Sequence, residues 1–458
     1  MSRRSWGGLF SEPPAPEAHA LGRSVHVDVR LAPQDIKAGV AHTHALRGAG
    51  LLSREEAADL EGALLEVGLD ISGGTLVFED ADEDIHSVVE RAVTERLGDL
   101  GARLHAGRSR NDLVVTDLRL WLLEASNRVG AAVSRLAGSL VGRAREHAAT
   151  VMPGTTHGRN AQPVTLGHHL LAHAWALHRD LERLEAWAER SATSPLGAGA
   201  LATSTLGVDP AAEAHELGFR RAFENSIDAV SDRDFVLEFL AVAGILAAHV
   251  GRLAADVARW TDPVLGWAEL DDAYATGSSM MPQKRNPDTA ELARAKVTRV
   301  SGAFAHLAAV IGPLPLGYHR DLQEDKEPAF DAVDTLELVL PALTGALETL
   351  RFNPPAMRAA LSDEGLYATD LAEALVADGV PFREAHRRTG ELIKASEEAG
   401  TRLRDLSPER WRAFGLPDGP SLLNADHAVA ARKAPGGPSP ASVLSQADTL
   451  EKTLAGRG

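Results

Sequence analysis

The chain has 458 residues, of which 44% are hydrophobic but only 5% aromatic, and it carries a formal net charge of −17. That length exceeds the usual single-core size and predicts either several domains or one long helical architecture with an aliphatic core. The acidic balance disfavours nucleic acid or an anionic membrane as partner, since either needs an electropositive face. The absence of cysteine excludes a disulfide framework, a thiolate nucleophile and any Cys-ligated metal centre.

The basic start has no apolar leader core behind it, and no stretch approaches eighteen uninterrupted apolar residues, so a cytoplasmic location is expected. Residues 1–34, with the Pro-rich Ser11-Glu-Pro-Pro-Ala-Pro16, read as an extended arm, and short helices are expected over 35–100. From Asn111 to about Thr150, Leu118, Leu122, Ala125, Val129, Ala132, Leu136 and Leu140 recur at steps of four and three, predicting a long helix with one apolar stripe. The same spacing from Phe235 to Trp260 predicts a second, and comparable segments lie at 164–190, 287–311 and 324–350, the last with Pro341 as a kink. For the helix at 287–311, Asn286 is expected to cap, Pro287 to take the first helical position and Asp288 to favour the positive end of the dipole. Residues 362–458 return to shorter helices punctuated by proline. The reading is all-α, with an N-terminal domain and arm over 1–108, a central long-helix bundle over 109–361 and a small helical domain over 362–458. Helices of this length outgrow what one subunit covers, so oligomerisation through the bundle is expected.

Polar stretches flank these helices. His105-Ala-Gly-Arg-Ser-Arg-Asn-Asp112 bunches cations and an amide at a helix start, where backbone amides and guanidinium groups suit a carboxylate. Met152-Pro-Gly-Thr-Thr-His-Gly-Arg-Asn-Ala-Gln-Pro163 reads as an irregular loop displaying Thr156 and His157, the best-placed general acid/base because imidazole titrates near neutrality. His168, His169 and His173 contain an i, i+4 pair without the glutamate of a hydrolytic zinc helix, and they are taken as surface or core residues, with a zinc site as the minority reading. Thr276-Gly-Ser-Ser-Met-Met-Pro-Gln-Lys-Arg-Asn-Pro287 joins Gly and Ser to two adjacent cations and an apolar pair, a composition suited to a lid over an anion. Leu316-Gly-Tyr-His-Arg-Asp-Leu-Gln-Glu-Asp-Lys-Glu-Pro328 is a dense charge mixture that by itself reads as a solvated helix entrance.

Together and in this order, Gly107-Arg-Ser-Arg-Asn-Asp112, Asn225-Ser-Ile-Asp-Ala-Val-Ser-Asp-Arg-Asp-Phe235, the lid and Asp321-Leu-Gln-Glu-Asp-Lys-Glu-Pro328 resemble the motif set of the argininosuccinate lyases, within the fumarase/aspartase superfamily that also includes the delta-crystallins. The resemblance implies a three-domain helical subunit in a homotetramer with a twenty-helix core and active sites built from three subunits. It implies reversible cleavage of argininosuccinate to arginine and fumarate, with neither metal nor organic cofactor. Ser278 is then the base, His157 the acid, Lys284 the cation assisting the serine, and Glu291 the group that orients the histidine. Substrate binding falls to Arg110, Asn111, Thr156, Arg233, Ser279, Asn286, Tyr318, Gln323 and Lys326, with His86 as a further active-site histidine. The chain departs from the family pattern at Gly39, where a substrate-contacting serine is usual, at Ala106, at Gly158-Arg159 after His157, and at Leu9. Two alternatives stay open: a related lyase for another N-substituted aspartate, and a non-catalytic crystallin-like homologue.

Overall fold

A computed structural model describes residues 15–457. The all-α expectation holds, and four of the five expected long helices fall where the apolar periodicity put them. The early helices are α1 (Pro16–Gly22), α2 (Ala32–Gly48), α3 (Arg54–Ser72) and α4 (Ile85–Leu97). The expected arm is therefore helical over much of 15–34, because Pro16 and Pro33 sit in the first turns of helices, where the missing N–H costs nothing. The Trp6-to-Phe10 departure lies outside the described residues. Ser53 and Glu56 close a reciprocal capping box at the start of α3.

The long helix α5 runs Arg110–Glu146. Its start is a reciprocal cap in which the Ser109 hydroxyl accepts from Asn111 N–H at 3.2 Å while the Asp112 carboxylate accepts from Ser109 N–H at 3.0 Å. Beyond it, Val151–Thr156 (β1) and Arg159–Thr165 (β2) pair antiparallel, so the stretch read as an irregular loop is a hairpin. Its two-residue turn is His157-Gly158, both with positive φ, 53° and 71°. Two positive φ values match the twist of the flanking strands, which explains why a short hairpin forms there.

Next come α6 (Leu166–Ser191) and α7 (Asp234–Trp260). Thr276–Gly277 (β3) pairs with Arg285–Asn286 (β4), and the segment after it is two helices, α8 (Asp288–Lys296) and α9 (Thr298–Ile311). The single helix expected over 287–311 thus breaks at Val297. Asn286 does not cap: its backbone is committed to the ladder opposite Thr276, so the cap position passes to Pro287. A helix α10 (Lys326–Thr349) carries Pro341 inside it, and α11 (Ala368–Ala377), α12 (Phe382–Glu398) and α13 (Pro440–Ala455) follow.

The chain forms two compact units. One takes the chain up to Gly130 with Glu182–Ile245 and Thr298–Leu336; the other takes Ala131–Leu181, Leu246–Val297 and the chain from Glu337 on. In the first unit, Leu46, Leu60, Leu64, Val93 and Leu104 form an apolar cluster among the early helices. In the second, Leu371, Leu375, Trp411 and Val429 anchor a cluster among the late ones. By length and composition α7 is apolar enough to cross a membrane, yet half of its most apolar window is buried, as in a core helix. Large apolar side chains stay exposed on the long helices, including Ile245, Phe304 and Leu338.

Candidate functional site

The expected site residues divide between the two units. The first unit holds Arg110, Asn111, His86, Arg233, Tyr318, Gln323 and Lys326, and in it the charges are locked by buried partners. Arg233 and Lys326 are both fully buried and share one carboxylate: Arg233 Nε donates to Asp325 Oδ2, and Lys326 Nζ donates to Asp325 Oδ1 at 2.9 Å. Burial disfavours the Asp325 anion, but Lys326 and Arg233 outweigh it and hold its carboxyl below the usual range. Arg233 also donates to the carbonyl of Asp232 at 2.8 Å, while its second terminal nitrogen is buried without a partner among the described residues. A donor left in this way is suited to an incoming anion. Asp325 was not singled out from sequence; the only signal was its place beside Lys326.

Tyr318, half-buried in the same unit, has its phenol pushed up by burial and by the Asp325 charge. Gly317 before it takes φ +102° and donates its N–H to Ser231 Oγ at 2.6 Å, a backbone conformation that favours glycine. Arg110 forms ion pairs with Glu83 at 3.3 Å and Asp84 at 3.2 Å. Asn111 donates to the carbonyl of Ala200 at 3.0 Å. Gln323 lies half-buried in the short helical turn before α10.

His86 is buried with Nδ1 2.5 Å from Asp35 and 3.5 Å from Asp117. Burial by itself would lower its pKa; the hydrogen bond to Asp35 and the charges of Asp35, Asp84 and Asp117 override that and push it up to about 9. It is therefore an imidazolium at neutral pH, and its Nε2 has no partner among the described residues. Gly39, the departure on α2, is buried, and a Cβ there would meet Leu64 at 3.0 Å. The glycine lets α2 and α3 pack closely, and a serine at this position would press on Leu64.

The second unit holds Thr156, His157, Ser278, Ser279, Lys284, Asn286 and Glu291. Thr156 and His157 are exposed at the hairpin tip. His157 takes the left-handed φ of 53° that the two-residue turn requires, and this places its imidazole at the hairpin tip. Within the lid, the Ser278 hydroxyl oxygen accepts from the amides of Met280 at 3.3 Å and Met281 at 3.1 Å. Two N–H dipoles aimed at one oxygen favour its charged form. Lys284 donates its N–H to the Met281 carbonyl at 3.0 Å, and its exposed ammonium has no ion-pair partner among the described residues. Met280 is 87% exposed and Met281 41%, the apolar pair of the lid lying open in the single chain. Arg285 is held by Glu269 at 2.5 Å and Asp272 at 3.3 Å, and Thr276 donates to Asp288 at the base of the lid. Glu291 is exposed in the first turn of α8. Among the described residues no hydrogen bond or ion pair joins His157 to Glu291 or to Ser278.

Comparison with known proteins adds independent findings. The family described as Lyase matches residues 10–302, and the family described as Argininosuccinate lyase C-terminal matches residues 365–431. A curated argininosuccinate lyase of Frankia casuarinae is 48% identical over 454 residues, covering 98% of each chain. That of Mycobacteroides abscessus is 48% identical over 450 residues, 97% of this chain and 95% of its own. Among solved structures, an EDDS lyase in complex with formate superposes with a TM-score of 0.85 at 28% identity, covering 97% of this chain and 91% of the other.

Proposed function

The chain belongs to the argininosuccinate lyases of the fumarase/aspartase superfamily, and from that premise we propose how its residues divide the reaction. It is a carbon–nitrogen lyase that cleaves argininosuccinate reversibly to arginine and fumarate in arginine biosynthesis. Taking a proton from the carbon beside a carboxylate builds a dianionic aci-carboxylate, so donors and positive charge must surround that group. Ser278 takes the proton. The single observation that carries this role is the pair of amide hydrogen bonds on its oxygen, which favours the alkoxide that a free serine does not form near neutrality. Lys284 adds positive charge to the lid, and lid closure strengthens both effects by excluding water.

His157 protonates the departing guanidinium nitrogen, with Glu291 orienting its ring. Arg110, Asn111, Thr156, Arg233, Ser279, Asn286, Tyr318, Gln323, Lys326 and His86 bind substrate, and the cations fixed on Asp325 face its carboxylates. Each proton transfer and each charge is assigned to a side chain, so the reaction proceeds without metal or organic cofactor. The homotetramer, with sites shared among three subunits, is supported by the exposed apolar side chains on the long helices and by the half-covered α7. For the domains at 1–108, 109–361 and 362–458, an apolar cluster built on residues 36–104 supports the first and one built mainly on 361–429 supports the third. A cytoplasmic location completes the reading.

Release of fumarate, followed by ultraviolet absorbance with argininosuccinate as substrate, tests the activity; a folded assembly without turnover overturns it. Shared sites are tested by co-assembling Ser278→Ala with His157→Asn subunits. Partial recovery of activity is expected, and none is expected if each site lies within one chain.

A further inference from the structure

The histidines of α6 take no part in the reaction above, yet two of them meet a carboxylate that the sequence places far away. His169 and His173 stand one helical turn apart on α6, and both Nε2 atoms point to the same oxygen, Asp256 Oδ2 on α7, at 2.7 and 2.9 Å. The three donor atoms lie within 4.8 Å of one another. The side chains are 30%, 14% and 29% exposed, open enough for an ion to enter and buried enough to be held. The His169 ring is further fixed by the edge of Trp260, 5.3 Å between centroids.

We propose that His169, His173 and Asp256 form a binding site for one divalent transition-metal ion of the zinc, cobalt and nickel class, outside the catalytic machinery and joining α6 to α7. Two imidazole nitrogens and one carboxylate oxygen are the donor set such ions prefer, and three protein ligands leave a fourth position for water. At metal–ligand distances of about 2.0–2.2 Å, tetrahedral ligands stand roughly 3.4 Å apart. The separations of 2.7 and 2.9 Å need to widen by about 0.5–0.7 Å, which side-chain rotation supplies. Asp256 supplies the anionic ligand, and binding displaces the protons that the two Nε2 atoms now share with it, because a ligating imidazole nitrogen must offer its lone pair. The helix lacks the adjacent glutamate of a hydrolytic zinc motif, since the residue after His169 is Leu170. The ion therefore braces the helices and performs no hydrolysis.

The test is titration of the assembled full-length protein with Co2+, read by visible absorption and by equilibrium dialysis. One equivalent per chain, with the intense visible band of a four-coordinate site, is expected. His173→Ala and the near-isosteric Asp256→Asn should each abolish the band and weaken binding about 100-fold or more, since loss of even a group that only hydrogen-bonds to a ligand costs about 10–100-fold. His44→Ala, at a half-buried histidine whose two nitrogens meet separate carboxylates, should leave the band intact. All three variants should retain argininosuccinate cleavage. A colourless complex, or a band that survives both His173→Ala and Asp256→Asn, overturns the site and leaves the trio as a hydrogen-bonded clasp.

Discussion

The Arg233–Asp325–Lys326 cluster and the lid around Ser278 handle charge in opposite ways. The cluster buries its cations completely and fixes them on one shared carboxylate. The lid leaves Lys284 and both methionines exposed and holds Ser278 by backbone amides alone. Groups that only bind can be fixed in advance, because their charge does not change during turnover. On the proposed roles, Ser278 gives up and regains a proton and so needs an environment that changes, with its desolvation deferred to closure.

The sharpest way to break this contrast is to remove each centre in turn. Ser278→Ala is expected to lower kcat by about 10³-fold, within the range of a lost acid–base group, with assembly size by light scattering unchanged. A near-normal rate removes Ser278 from the chemistry. Asp325→Asn leaves two buried cations without their counter-charge, and the expected loss is about 3–5 kcal/mol of stability, read by denaturant unfolding. An unchanged unfolding midpoint means that the cluster is not the fixed half of the site.

His86 sharpens the comparison through pH. Its folded pKa is raised to about 9 from 6.5, so the stability it contributes is fully present below about pH 6.5 and is lost as pH rises through 9. Thermal melts between pH 6 and 10 should show that loss, and Asp35→Asn should flatten it. The smallest effect is expected at the packing departure on α2. Gly39→Ser should cost about 1 kcal/mol, at the low end for an overpacked core, through pressure on Leu64, with little change in KM. A fall in KM with no loss of stability would show that the hydroxyl reaches substrate.

Much of the molecule is legible in its sequence. The stripe from Leu118 to Leu140 located α5, and the apolar run from Phe235 to Trp260 located α7, because helical periodicity is written in consecutive residues. The motif words marked residues 276–287 and His157 as the segments to which the chemistry is proposed. The hairpin at 151–165 escaped because prolines and glycines read as loop, whereas His157-Gly158 supplies the positive φ values of a tight turn. The cap at Asn286 was misplaced because strand pairing with Thr276 outranks a local capping preference.

The sequence by itself determined where most of the long helices lie, which residue types are offered to the chemistry and that no cysteine takes part. Only the tertiary structure decided which charges meet. Arg233 and Asp325 are 92 positions apart, Asp112 and the amide of Gly199 are 87 apart, and His169 and Asp256 are also 87 apart. The physical reason is that burial makes such pairings costly to leave unmade, while a carboxylate far along the chain leaves no periodic trace of the partner it will neutralise.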